Sequence, residues 1–217
     1  MTASERPLRA DAQRNRDRLV AVATAAFAAD DATVPLEDIA RQAGVGIGTL
    51  YRHFPTREAL VEAVYATELD EITRSAAVLL EQLPPDAALR AWMNRYAQFA
   101  ELKRGLVDTL RAGWAAGRIA TPATRERITA AIATLLTAGA KTGVLREDVD
   151  PDDITALLLG VFLSTATNSS KDQTGRLLDL VLDSLRGAGS EGGSEGGSES
   201  GSELSGPARS APLSPGR

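Results

Sequence analysis

The sequence contains no cysteine and only one histidine, His53, among its 217 residues. Without cysteine there is no disulfide, no thiolate nucleophile and no Cys-type zinc site. A single imidazole cannot supply a site that needs two, and no paired-carboxylate motif is present. The sequence therefore gives a helical enzyme little support, and we expect no catalytic residue, no metal and no cofactor.

Long apolar runs and a strong excess of one charge are also missing. The longest nearly apolar stretch, residues 154–166, is too short to span a bilayer. The N-terminus has no apolar segment of the kind found in secretory signals. We therefore expect a cytoplasmic location and no membrane partner. The net charge of −5 and the hydrophobic fraction of 43% are ordinary for a globular protein.

The C-terminal end differs in composition from the rest of the chain. Residues 187–217 repeat Gly, Ser and Glu and have almost no large apolar side chain. Such a segment buries too little surface to offset the entropy of ordering it. We predict a disordered, solvated tail there; a binding role for it is the less favoured alternative.

The remaining residues predict an all-α fold. Ala and Leu dominate, and no stretch alternates β-branched or aromatic residues with polar ones. Helix start signals recur, such as Thr56 before one apolar pattern and Asp150-Pro151 before another. We predict helices over residues 10–29, 36–43, 47–53, 57–82, 87–102, 105–116, 122–142, 152–167 and 171–186.

The predicted helices 36–43 and 47–53 are separated by a short break, Gly44-Val45-Gly46. Two helices joined by three or four residues that include glycine form the helix-turn-helix arrangement. The tight corner requires a positive φ at Gly44, where a Cβ atom would be strained. Many sequences with this pattern are not DNA-binding motifs, so the side chains of the second helix have to be considered as well.

Successive residues lie 100° apart on a helix, which gives the helix 47–53 a buried side and an outward side. Leu50, Ile47 and Phe54 fall on the buried side. A helix in a DNA groove needs an outward centre that meets base edges and flanks that meet phosphates. Arg52 can donate two hydrogen bonds to guanine. The outward and flanking residues are Gly48, Thr49 and Arg52, with Tyr51 and His53 at the sides. Taken singly, each could be ordinary surface or packing.

Residues 38–64, DIARQAGVGIGTLYRHFPTREALVEAV, resemble the DNA-binding domain of TetR-family transcriptional regulators. One departure is Gly46, where that family often has Ser or Thr as the helix N-cap; glycine is an acceptable cap. The resemblance implies a nine-helix homodimer with a divergent ligand-binding half. Together with the helical positions, it predicts DNA contacts from Gly46, Ile47, Gly48, Thr49, Tyr51, Arg52, His53 and Arg57.

The predicted DNA-binding region has no net positive charge, so we expect modest non-specific DNA affinity, and dimerisation must supply the rest. Residues 1–58 contain eight Arg and eight acidic residues, so the segment is neutral. Five of those Arg lie between Arg6 and Arg18, and we expect that stretch to lie near the DNA backbone.

Four regions are predicted: a flexible arm over 1–9, the helix-turn-helix domain over 10–56, a ligand-binding and dimerisation domain over 57–186, and the tail over 187–217.

Most aromatic residues lie in the second domain, beside the long predicted helix 57–82. Trp92, Tyr96 and Phe99 repeat at helical spacing, which is also typical of an ordinary core. The other interpretation is a ligand pocket with apolar walls and polar tips, and because few buried charges are evident, its effector would be apolar or amphipathic. The predicted lining residues are Tyr65, Trp92, Met93, Tyr96, Phe99, Leu110 and Trp114.

The last two predicted helices are strongly apolar, and helix 152–167 is apolar nearly all round. Such a helix must be covered on both sides. Two helices from each of two chains would form a four-helix interface; a wholly intramolecular core is the alternative. The predicted interface residues are Leu158, Phe162, Leu178, Val181, Leu182 and Leu185.

These observations predict a homodimeric, sequence-specific regulator that binds double-stranded DNA. The favoured form is a repressor released from a palindromic operator by a small apolar or amphipathic effector. A regulator-like DNA- or protein-binding module without an effector is the alternative.

Overall fold

The structure, a computed structural model, describes residues 5–29, 34–117, 122–166 and 171–187. These residues form helices and contain no strand, apart from one isolated bridge between Leu145 and Arg186. The described helices are α1 (Glu5–Ala29), α2 (Leu36–Gln42), α3 (Ile47–His53), α4 (Arg57–Gln82), α5 (Pro85–Gly105), α6 (Val107–Ala115), α7 (Pro122–Lys141), α8 (Pro151–Ser164) and α9 (Lys171–Leu185). The all-α prediction is confirmed.

Most helix boundaries lie within three residues of their predicted positions, but the start of α1 differs. Helix α1 begins at Glu5 rather than at residue 10, so most of the predicted flexible arm is helical. Pro7 does not stop it, because the backbone N–H groups of a first helical turn have no intrahelical partner to lose. Residues 1–4 of that arm and residues 188–217 of the predicted tail lie outside the described residues.

Side-chain caps define the starts of two functionally important helices. The hydroxyl of Thr56 accepts a 3.2 Å hydrogen bond from the backbone N–H of Ala59, so α4 begins as predicted. The carboxylate of Asp150 accepts a 2.8 Å bond from the N–H of Asp152 at the start of α8. Both caps satisfy amide groups that a helix leaves unpaired in its first turn.

Helices α1, α2 and α3 form a small N-terminal unit, and α4 connects this unit to the rest of the protein. Helix α4 packs against α1 and also against α5, α6 and α7. Its 26 residues correspond to about 39 Å of helix. The indole N–H of Trp92 donates a 2.9 Å hydrogen bond to the carbonyl of Ile72, which joins α5 to the middle of α4. Trp92 is fully buried, so this bond satisfies its polar atom inside the core.

The predicted dimer-interface residues are wrong as interface residues, because all six belong to the protomer's own core. None of them is more than 6% exposed in the single chain: Leu158, Phe162, Leu178, Val181, Leu182 and Leu185. Helix α9 packs against α5 and α8, and α8 packs against α7, so these side chains are covered from within. The same two helices expose other leucines, namely Leu157 (46%), Leu163 (73%) and Leu180 (64%).

Among the described residues, no helix has both the length and the apolar character needed to cross a membrane.

Candidate nucleic-acid interface and internal cavity

The turn between α2 and α3 has the conformation that the sequence predicts. Gly44 has a φ of 68°, in the left-handed region that favours glycine. The N–H of Val45 donates a 3.0 Å hydrogen bond to the carbonyl of Ala40, which closes the turn. Gly46 then takes an extended conformation and caps α3 without a side-chain hydrogen bond. The chain therefore reverses within three residues and projects α3 from the unit.

Helix α3 is attached to the unit by one buried side chain and presents the rest of its surface outward. Leu50 is fully buried, and Phe54 after the helix is 2% exposed. Gly48 and Arg52 are exposed and Tyr51 is 44% exposed, as the helical positions predict. Thr49 and His53 are half-buried.

Ile47 departs from the predicted orientation. The helical period predicts Ile47 on the buried side of α3, but it is 37% exposed. Ile47 is the first residue of the helix, where the chain has just left the turn at Gly46. The exposed position is compatible with the separate prediction that Ile47 contacts DNA.

The surface around α3 is locally basic although the whole chain is acidic. Residues 39–57 contain Arg41, Arg52 and Arg57 and no acidic residue. Arg41 pairs with Asp38 at 2.6 Å; the Arg41 side chain is largely solvent-exposed and Asp38 is partly exposed, so this pair contributes little to stability. Arg52 remains the exposed cation at the centre of the outward face of α3.

Arg57, which is predicted to contact DNA, also has an internal role. Its Nη1 donates a 2.7 Å hydrogen bond to the carbonyl of Val34, and its guanidinium lies 5.5 Å from the ring centroid of Phe27. These contacts join the first turn of α4 to the residues before α2 and to α1. One of its donors is therefore used within the protein, and its contact with DNA stays a prediction.

Arginines of α1 also make contacts within the protein. The guanidinium of Arg16 lies 5.3 Å from the ring centroid of Phe54, and Arg18 donates a 3.3 Å hydrogen bond to the carbonyl of Ala43. Arg14 pairs with Asp11 on the same helix. Arg14 and Arg18 nevertheless remain exposed, so the prediction that this stretch lies near the DNA backbone stays a prediction. The side chains of Arg6 and Arg9 lie outside the described part.

A cavity of about 410 Å³ lies in the C-terminal part, where α4, α5, α6, α7 and α8 converge. Its volume is within the range of small-molecule sites. Tyr65, Tyr96 and Phe99, which the sequence predicts as lining residues, do line it. The rings of Tyr65 and Phe99 are 5.3 Å apart, and Tyr96 meets Phe162 edge-on at 5.0 Å. Burial raises the pKa of Tyr96 to about 12, so its phenol is neutral at physiological pH.

Three other predicted lining residues are core residues, which corrects that part of the prediction. Trp92, Met93 and Leu110 are fully buried and do not line the cavity. Trp92 points toward Ile72 instead, since its indole is bonded to that carbonyl. Trp114 belongs to α6, but its side chain lies outside the described part.

The sequence interpretation missed the cationic residues of the cavity. Lys103, Arg104 and Arg125 all line it, and no acidic residue does among the lining residues described. A signal for Lys103 was present, because it follows Tyr96 and Phe99 by seven and four residues on the same face of α5. Arg125 comes from α7, so its presence could not be found from local spacing.

An exposed α3 on a glycine turn, joined by α4 to a domain with its own cavity, defines a helical DNA-binding protein of the helix-turn-helix class. Residues 19–64 match the family model described as bacterial regulatory proteins, tetR family. Residues 84–187 match the model of the SbtR-like transcriptional regulator C-terminal domain. The chain belongs to the TetR family of transcriptional regulators, whose members bind DNA and are not enzymes.

Two crystal structures of relatives and one further regulator sequence agree with this assignment. A TetR transcriptional regulator from Streptomyces coelicolor is 44% identical; the match covers 80% of this chain and 99% of that one, with a TM-score of 0.70. A TetR transcription regulatory protein from Mycobacterium vanbaalenii is 39% identical over 83% of this chain and 99% of that chain, with a TM-score of 0.66. An HTH-type transcriptional regulator of Staphylococcus aureus is 32% identical over 74 residues, which span 33% of this chain and 39% of that protein.

Proposed function

We propose that the protein is a homodimeric repressor that binds a palindromic operator and is released by a small amphipathic molecule. The observation that carries the proposal is that α4 packs against the N-terminal unit and also lines the cavity. A repressor of this kind acts in the cytoplasm, where bacterial chromosomal DNA lies.

The exposed side of α3 is the proposed reading surface. Arg52 stands at its centre and can donate two hydrogen bonds to a guanine in the major groove. Tyr51 at the flank can donate its hydroxyl to a phosphate oxygen, which positions the helix without reading sequence. Gly48 has open space around its Cα, so the backbone can approach the DNA closely. The remaining proposed contacts come from Gly46, Ile47, Thr49 and His53.

The proposed dimer forms through the exposed side of α8 and α9. Leu157, Leu163 and Leu180 are exposed there, and Ala156 and Gly160 on the same side of α8 are small. Exposed leucines on neighbouring helices favour burial against a second copy, which would supply the same surface. The α3 helices of the two copies could then contact half-sites about 34–36 Å apart.

Helix α4 supports the proposed coupling between the cavity and DNA. Tyr65 of α4 lines the cavity. Arg57, the first residue of the same helix, donates a hydrogen bond to the carbonyl of Val34. The two residues are eight positions apart, which corresponds to about 12 Å along the helix. A ligand that prefers one tilt of α4 would shift the dimer away from the spacing that fits DNA. Coupling of about 1–3 kcal/mol would weaken operator binding by roughly 5- to 150-fold.

Selection of bound fragments from a pool of random double-stranded DNA tests the proposal. The expected product is an inverted repeat whose half-sites are spaced by one helical turn. A reporter gene with this sequence in its promoter should be expressed less when the protein is present. An asymmetric selected site would contradict the dimeric mode of reading, and increased expression would contradict repression.

A further inference from the structure

The described wall of the cavity is rich in hydrogen-bond donors and poor in acceptors. Its charged side chains are Lys103, Arg104 and Arg125, which in their charged forms donate hydrogen bonds and cannot accept them. No Asp, Glu, Asn or Gln is among its described lining residues, whose other polar side chains are hydroxyls. A ligand whose polar group only donates, such as an ammonium, would therefore meet no carboxylate or amide acceptor from these side chains.

The three cations have interactions within the protein. Arg125 donates hydrogen bonds of 2.9 and 2.8 Å to the two carboxylate oxygens of Asp152. Arg104 donates a 3.2 Å bond to the carbonyl of Phe162, and Lys103 also has an interaction of its own. A ligand can therefore be held in this cavity without a salt bridge to any of them.

Tyr96 places a neutral hydroxyl in the aromatic part of the wall. Tyr96 is 6% exposed, and its ring lies 5.0 Å from that of Phe162 and 5.3 Å from that of Trp92. Burial raises the pKa of its phenol to about 12, so the hydroxyl keeps its proton. The positive charge of Arg125 also acts on this phenol and makes the O–H group a stronger donor. Tyr96 thus offers a polarised donor in surroundings where a hydrogen bond is stronger than in water.

Thr155, another hydroxyl residue of the wall, differs from Tyr96 because its proton is used inside the protein. It is 1% exposed, and its hydroxyl lies 2.9 Å from the carbonyl oxygen of Pro151 and 2.9 Å from the hydroxyl of Thr129. These bonds connect α8 to α7 and do not require a ligand. Thr155 therefore provides a comparison within the same cavity for the role of Tyr96.

We propose that the cavity selects a mainly apolar ligand that carries an acceptor oxygen, such as a ketone carbonyl, and that the hydroxyl of Tyr96 donates a hydrogen bond to this oxygen. The apolar body of the ligand packs along Phe99, Ile128 and Phe162. The inference rests on the proposed function only in treating this cavity as the effector site. It extends that function by assigning the polar group of the effector and the residue that selects it.

The test uses the full-length protein and two probes of nearly the same shape, butyrophenone and butylbenzene, which differ by a carbonyl in place of a methylene group. Isothermal titration calorimetry, with the protein titrated into dissolved probe, measures both dissociation constants. Tyr96→Phe should raise the dissociation constant of butyrophenone about 3- to 10-fold, as expected for the loss of one hydrogen bond. The dissociation constant of butylbenzene should stay nearly unchanged, because the ring of residue 96 is retained.

Two other hydroxyl deletions serve as controls. Thr155→Val removes a hydroxyl from the same wall, but one that bonds within the protein, so the ratio of the two dissociation constants should remain that of the wild type. Tyr51→Phe makes the matched substitution on α3, outside the described lining. It should bind both probes as the wild type does.

Each other outcome identifies what has failed. Equal losses for both probes in Tyr96→Phe would show that this residue acts through packing and would overturn the inference. An unchanged affinity for butyrophenone in that variant, an equal change of the ratio in Thr155→Val, or failure of butyrophenone to bind the wild type would also overturn it. If butyrophenone binds through Tyr96 as expected but does not weaken operator binding, the ligand class is supported and the proposed release from DNA is contradicted.

Discussion

Arg57 Nη1 donates a 2.7 Å hydrogen bond to the carbonyl oxygen of Val34, immediately before the Pro35 cap of α2. The same guanidinium lies over the ring of Phe27 in α1. The first turn of α4 is thus attached to α1 and to the residues that precede α2. Under the proposed coupling, we expect this contact to transmit a movement of α4 to the helices that hold α3.

Replacement of Arg57 by methionine should lower the free energy of unfolding by about 1–3 kcal/mol, because the Val34 carbonyl loses a charged donor. Operator affinity should fall for all sequences alike. Urea unfolding and DNA titration measure the two effects. Arg52→Ala is the control for the unfolding measurement, since Arg52 is exposed and its replacement should leave the free energy of unfolding unchanged. Equal stability of Arg57→Met and the wild type would contradict this role.

Replacement of Arg52 by alanine should weaken operator binding by about 1–3 kcal/mol and relax the preference at one position of each half-site. Tyr51→Phe, which removes only the hydroxyl, should instead weaken binding to every sequence by a similar factor, because a phosphate contact carries no sequence information. Titration of each variant against operators substituted at single positions checks both results. An unaltered base preference in Arg52→Ala would refute the proposed orientation of α3.

Replacement of Gly44 by alanine should destabilise the protein by about 1–2 kcal/mol, because its φ of 68° is strained for a residue with a Cβ atom. Gly48→Ala is the matched substitution four residues later. No atom lies within 4 Å of a Cβ added there, and alanine favours a helix over glycine by up to about 1 kcal/mol. Thermal unfolding should thus shift in opposite directions for the two variants. A loss of stability in both would show that the turn geometry is not the cause.

Leu157→Glu and Leu180→Glu should convert the dimer to folded monomers, because each would place an unpaired carboxylate in the proposed interface at a cost of several kcal/mol. Sedimentation velocity and circular dichroism measure assembly and folding. Val78→Glu is the control, since Val78 is a 44% exposed apolar residue of α4; this variant should remain dimeric. Leu178→Glu should unfold the protomer, because Leu178 is only 1% exposed. A wild-type protein that sediments as a monomer at micromolar concentration would contradict the interface.

The N-terminal unit was the most predictable part of the protein. The positive φ of Gly44 and the cap at Thr56 follow from local geometry, because each depends on neighbours within a few residues, and the burial of Leu50 follows from the helical period. The prediction that Ile47 is buried was wrong, because the helical period alone does not decide exposure at the first position of a helix. The contact between Arg57 and Val34 was not predicted, since the two residues are 23 positions apart in the sequence.

The C-terminal part depended more on tertiary packing. The sequence predicted that α8 and α9 bury a large apolar surface, but helical periodicity does not say which neighbour covers each side. Leu158 and Leu178 are therefore core residues, whereas Leu157 and Leu180 are exposed. By itself, the sequence determined the all-α fold, the helix-turn-helix and the outward side of α3, because these arise from contacts within one or two turns. Only the tertiary structure decided the apolar surface left open and the grouping of Lys103 with Arg125, because both depend on how distant helices pack together.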